Sequence, residues 1–167
     1  LVREHFAFLA RTIRAHDGAV VKTIGDAVMA AFAEPADAVR AAVAVQAEVA
    51  AFNREQAGSA PDGGPPGGGP PGGGPPGGGI AIKMGVHAGH CIAVTLNDRL
   101  DYFGQTVNVA ARVQALADAN EIYLTRDIHD LPEVAGLLSG SFSAEPRLAS
   151  LRGIHEDMPV FRLSPAL

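Results

Sequence analysis

Residues 20–32 read VVKTIGDAVMAAF, an apolar, strand-like run that carries Lys22 and, four residues later, Asp26. Each charge has an ordinary structural explanation, because lysine on an edge strand discourages aggregation and aspartate is a common turn former. Further along, Asn108 and Arg112 in VNVAAR also stand four residues apart, which projects both from one face of a helix whose other positions are small or apolar. Asp101 precedes them in LDYFG, where a carboxylate can cap the helix that follows or remain free to accept from a ligand. The chemistry open to these groups is positioning and charge stabilisation. Carboxylate oxygen suits a hard divalent cation, and guanidinium offers a planar fork of donors that matches phosphate. His87, His90 and Cys91 in HAGHC are metal-ligating types as well, but without distant partner ligands they read as structural.

The hydrophobic pattern supplies the elements that must hold these side chains. Val2, Phe6, Leu9 and Ile13 line one face of a helix over residues 1–16, closed by Asp17 and Gly18. The runs 19–24 and 27–32 form a hairpin turning at Gly25 and Asp26. A second helix starts at Glu34 and Pro35, with Val39, Ala42, Val45, Val49 and Phe52 as its buried stripe. IAIKMGVHAG and HCIAVTL read as two strands joined by a turn around Gly89. A helix over 104–117, a strand at 121–125, a short helix over 127–138 and two closing strands, within SFSAEPRLAS and MPVFRL, complete the chain. Helices alternating with paired strands predict an α+β sandwich of the ferredoxin-like type, with helices packed on a mostly antiparallel sheet.

At 167 residues the chain suits one domain with a substantial core. A net charge of -5 argues against nucleic acid or an anionic membrane face as the main partner. One cysteine, Cys91, excludes an internal disulfide framework and makes a reducing, cytoplasmic setting the expectation. No apolar run approaches the ~18 residues of a membrane span. Residues 57–79 contain PPGGG three times in succession and read as a solvated loop inserted within the domain. The segment lacks the GK[ST] ending of a phosphate-binding loop and the anchor pattern of a proline-recognition ligand.

Four blocks, VKTIGDAVMAAF, IKMGVHAG, DYFGQTVNVAARV and LRGIHEDMPVFRL, resemble successive blocks of class III adenylate/guanylate cyclase catalytic domains, in the family's order. The resemblance implies the cyclase-type sandwich and a homodimer with active sites at the interface. It further implies that Asp26 holds a catalytic Mg²⁺ or Mn²⁺, that Lys22 and Asp101 read the base, that Asn108 orients the ribose and that Arg112 stabilises the α-phosphate. Arg152 in LRGI is placed near the triphosphate. Metal ligands come from one protomer and base and transition-state residues from the other, so Lys22 and Asp26 would serve opposite sites. Two metals per site are implied, yet the family's other metal aspartate, in an F-x-D-x-x-x-F-T block, has no counterpart downstream of Leu1, so one carboxylate ligand is missing.

The implied reaction is in-line attack of the ribose 3'-hydroxyl on the α-phosphate, releasing cyclic nucleotide and pyrophosphate. It requires positioning and charge stabilisation more than a covalent nucleophile. A lysine donor beside an aspartate acceptor matches N1 and the 6-amino group of adenine and opposes guanine, which favours ATP over GTP. The competing expectations are a non-catalytic cyclase-like module that binds nucleotide or regulates by dimerising, and a guanylate cyclase.

Overall fold

A computed structural model of the chain describes residues 2–58, 79–154 and 156–165. Helix α1 (Val2–Ala15) leads into strands β1 (Gly18–Ile24) and β2 (Ala27–Phe32), followed by the long helix α2 (Pro35–Gly58). Strands β3 (Met84–Val86), β4 (Ile92–Leu96) and β5 (Arg99–Phe103) precede helix α3 (Gln105–Ala115). Strand β6 (Ile122–Thr125), helices α4 (Arg126–His129) and α5 (Pro132–Leu138), and strands β7 (Phe142–Ala149) and β8 (Met158–Pro165) close the order.

The central sheet runs β3-β6-β8-β7, with β3 parallel to β6 and the other neighbours antiparallel. β6 is buried along its whole length, and alternation sends its residues to two different cores. Ile122 and Leu124 join Ala36, Val39 and Ala42 of α2 with Ile128, Val134, Leu138 and Leu163 on one face. Tyr123 joins Val109 and Val113 of α3 with Leu151 and Val160 on the other. A third cluster packs Leu9 and Ile13 of α1 against Val45 and Val49 of α2, beside Val20, Val28 and Phe32 of the first hairpin. The expected stripe on α2 is therefore buried from Val39 to Val49 and faces two clusters in turn. Pro146 lies in β7 at the sheet's edge, the place in a sheet where proline is tolerated.

The β1/β2 hairpin forms as expected, with Ile24 opposite Ala27 and a bulge between Val20 and Lys22. Gly25 alone of the two loop residues has positive φ, 62°, as a glycine-first two-residue hairpin requires. Three expectations need correction. The segment after residue 80 does not fold back on itself at Gly89: β3 pairs with β6, and β4 pairs with β5. β5 itself was not expected, because RLDYF was read as the approach to a helix. The helix expected over 127–138 is two helices, since Leu131 precedes Pro132 and takes an extended conformation, φ -67° and ψ 129°.

Of the Gly/Pro-rich segment expected over 57–79, residues 59–78 lie outside the described residues. Its exit is fixed by Asn53 of α2. That side-chain amide donates to the carbonyl of Ile80 and accepts from its N–H, both at 2.8 Å, as a neighbouring strand would.

Candidate active site

Lys22 and Asp101 are 79 positions apart in sequence, yet Lys22 Nζ donates to Asp101 Oδ2 at 2.8 Å. β1 brings the lysine and β5 the carboxylate, and the β4/β5 hairpin is what carries Asp101 to this place. The cap alternative for Asp101 is set aside: the residue at the start of α3 is Gly104, with no side-chain cap, and Asp101 Oδ1 accepts from the N–H of Tyr102 at 2.8 Å. Alternation along β5 places Phe103 on the same face as Asp101, and the Lys22 ammonium sits 5.4 Å from the centre of its ring. The hydrogen bond from Lys22 holds the Asp101 carboxyl below the usual carboxylate range, with the Tyr102 N–H assisting and partial desolvation opposing. The pair lines a cleft of about 290 Å³ together with Val21, Thr23, Leu96, Arg99 and Leu100. That volume is at the lower edge of the ~300–1,000 Å³ of small-molecule sites.

Asn108 and Arg112 project from α3, whose buried side is Val109 and Val113. Asn108 is exposed and Arg112 half-buried. The Arg112 guanidinium lies over the turn 151–154, with Nη2 3.4 Å from the place a Cβ would take on Gly153. This turn closes with the Ile154 N–H donating to the carbonyl of Leu151 at 2.9 Å, and buried Leu151 roots it in the core. Arg152 is at its exposed tip, next in the chain to the glycine that meets Arg112. The turn that carries Arg152 is thus the one on which the Arg112 guanidinium rests.

Asp26 sits exposed at the tip of the β1/β2 turn. No hydrogen bond or ion pair among the described residues links it to Asn108, Arg112 or the Lys22/Asp101 pair. Nor do the described residues contain a group of three or more His, Cys, Asp or Glu able to hold a metal. The donor set still fits one kind of ion, since Mg²⁺ is commonly bound through one or two carboxylates plus substrate phosphates. His87 Nδ1 lies 3.0 Å from Thr125 Oγ1, the His90 carbonyl accepts from Thr106 Oγ1, and Cys91 is exposed, so these three do not converge. β5 was the element that sequence reasoning missed. Its signal was the pair Asn97 and Asp98, both at positive φ (50° and 59°) between Leu96 and Arg99, which is the composition of a two-residue hairpin loop.

The fold matches a solved adenylate/guanylate cyclase/hydrolase from Silicibacter pomeroyi with a TM-score of 0.72 at 23% identity, covering 98% of this chain and 83% of that one. The chain belongs to the adenylate and guanylate cyclase catalytic domain family, which it matches over residues 1–158. It is 32% identical over 161 residues to an adenylate cyclase of Mycosarcoma maydis, covering 94% of this chain and 6% of that protein. An adenylate cyclase of Lachancea kluyveri is 33% identical over 129 residues, covering 75% of this chain and 7% of the other. The chain thus spans a small fraction of the length of these relatives.

Proposed function

We propose that this domain converts ATP to cyclic AMP and pyrophosphate, in sites completed by a second copy of the chain. The observation that carries this reading is the Lys22/Asp101 pair, a donor and an acceptor held 2.8 Å apart at the edge of a cleft. Lysine has three donors and a carboxylate about four acceptor sites, so the pair keeps capacity for a base edge while each partner orients the other. Lys22 donates to N1 of adenine and Asp101 accepts from the 6-amino group. Arg112 donates to the α-phosphate oxygens as their charge develops, Asn108 orients the ribose hydroxyls and Arg152 binds the polyphosphate. Asp26 is the carboxylate that would hold Mg²⁺ or Mn²⁺, which when bound supplies charge neutralisation and a more acidic 3'-hydroxyl.

Dimerisation is supported by what the chain leaves exposed. Ile92 (66% exposed), Leu96 (55%) and Phe103 (43%) alternate on the same face of the β4/β5 hairpin as Asp101. A cover for that face would both bury apolar area and deepen the cleft.

The test is turnover by the full chain with Mn²⁺ and either ATP or GTP, measuring cyclic nucleotide and pyrophosphate. Cyclic AMP that disappears in Asp26→Ala is expected, and activity should partly return when Asp26→Ala and Arg112→Ala chains are mixed, because one site of the heterodimer regains both groups. Tight nucleotide binding without product would instead identify a regulatory module. Cyclic GMP as the main product would overturn the choice of base.

A further inference from the structure

We infer that Gly89, together with Gly85, is a positioning residue that sets the depth at which α3 is seated, and with it the locations of Asn108 and Arg112; this rests on the roles proposed for those two side chains. A Cβ on Gly85 would overlap the main-chain nitrogen of Gln114 and lie 2.6 Å from its Cα, so the backbone of α3 rests directly on this glycine. A Cβ on Gly89 would lie 2.7 Å from Thr106 Oγ1 and 3.3 Å from Thr106 Cγ2, at the other end of the same helix. The two contacts run in opposite chain directions. Four residues from Gly85 to Gly89 reach no more than about 14 Å. Eight residues of helix from Thr106 to Gln114 span about 12 Å. The reach suffices for segment 85–89 to pass along α3 and meet it near both ends, as the two contacts show. Side chains fasten the same two ends, with Thr106 Oγ1 donating to the carbonyl of His90 and Gln114 Nε2 reaching the carbonyl of Lys83 at 3.5 Å.

Asn108 is two residues inside the first contact and Arg112 two residues inside the second. At about 100° per residue each is turned about 200° from the supported line, toward the opposite side of the helix. A helix lifted at either end therefore moves the two functional side chains outward. A displacement on the order of 1 Å can cost about 10²-fold in rate.

Gly89 is the informative position, because its contact is with a side chain that can be trimmed, whereas a methyl on Gly85 meets main chain. Thr106→Ala removes both Oγ1 and Cγ2, leaving the Thr106 Cβ 3.6 Å from an added methyl, an ordinary contact. The experiment measures cyclic nucleotide formation by the full chain carrying Gly89→Ala, Thr106→Ala, both, or Arg112→Ala. Gly89→Ala is expected to lower kcat by about tenfold or more with KM changed less than about twofold, since the base-reading pair is on β1 and β5. The double variant should recover kcat well above Gly89→Ala alone. Should Gly89→Ala fail to fold, the double variant should still fold and match Thr106→Ala within about twofold. Unchanged kcat in Gly89→Ala, a loss confined to KM, or a double variant with additive losses overturns the positioning role. If Arg112→Ala itself leaves kcat unchanged, the functional reading fails instead, which keeps the two failures apart.

Discussion

At the scale of single residues, the Lys22/Asp101 pair holds a donor and an acceptor in one fixed contact, 2.8 Å apart, as the proposed choice of base requires. If the pair selects adenine by donor and acceptor order, Lys22→Glu combined with Asp101→Cys should lower the ratio of kcat/KM for ATP over GTP by about tenfold or more. An unchanged ratio in steady-state assays would remove the pair from base selection. His87 gives a prediction of a different kind. Burial pushes its pKa below the ordinary 6.5, against the nearby Asp127, which raises it. The unfolded chain therefore binds the proton more readily, and stability present above pH 6.5 is lost as pH falls through 6.5 toward the folded value. The melting midpoint should drop over this window, and the drop should shrink in His87→Gln, which keeps an amide to face Thr125. A profile identical in both proteins would mean that another group carries the dependence. The charged side chains were readable as candidates because lysine and aspartate are uncommon in apolar runs. That Lys22 meets Asp101 was beyond local pattern, since 79 positions separate them.

At the scale of elements, hydrophobic periodicity was sufficient where an element has one buried face. Leu9 and Ile13 on α1, the stripe from Val39 to Val49 on α2, and the first hairpin follow from it. Periodicity marked β4 but was insufficient for β5, which is mostly exposed and has no single buried side for the alternation to mark. It also could not choose a partner for β3, whose parallel pairing with β6 depends on α3 crossing between them. Asn53 shows how a side chain can do what a strand does. Asn53→Ala removes both bonds to Ile80 and should lower stability by about 1–3 kcal/mol, read from denaturant unfolding. Asn53→Asp should also destabilise, since an ionised carboxylate would face the Ile80 carbonyl. Stability unaffected by either change would show that the exit of the long connection is held elsewhere.

At the scale of the whole molecule, the proposed sites are completed by a second chain, which would bring Asp26 of one copy to the α3 residues of the other. The face of β4 and β5 that carries Asp101 is an apolar surface available for that contact. Ile92→Arg should leave the melting temperature of the isolated chain nearly unchanged, as exposed substitutions usually fall within about 0.5 kcal/mol. It should shift sedimentation toward monomer, and specific activity should fall more steeply on dilution than in the unaltered protein. Association unaffected by the charge would place the interface on another surface.

The sequence by itself determined the types of groups available, the helix faces, the first hairpin and the family, because these depend on spacing over a few residues or on ordered motifs. The resemblance already set Lys22 and Asp101 together at the base, but tertiary structure alone decided the contacts themselves: the direct hydrogen bond between those two, Arg112 over the turn that holds Arg152, and α3 against the two glycines beneath it. The physical reason is that a local pattern fixes where a side chain lies around its own helix or strand, while contact between elements depends on packing depth and strand pairing, which are settled only when the apolar faces close on one another.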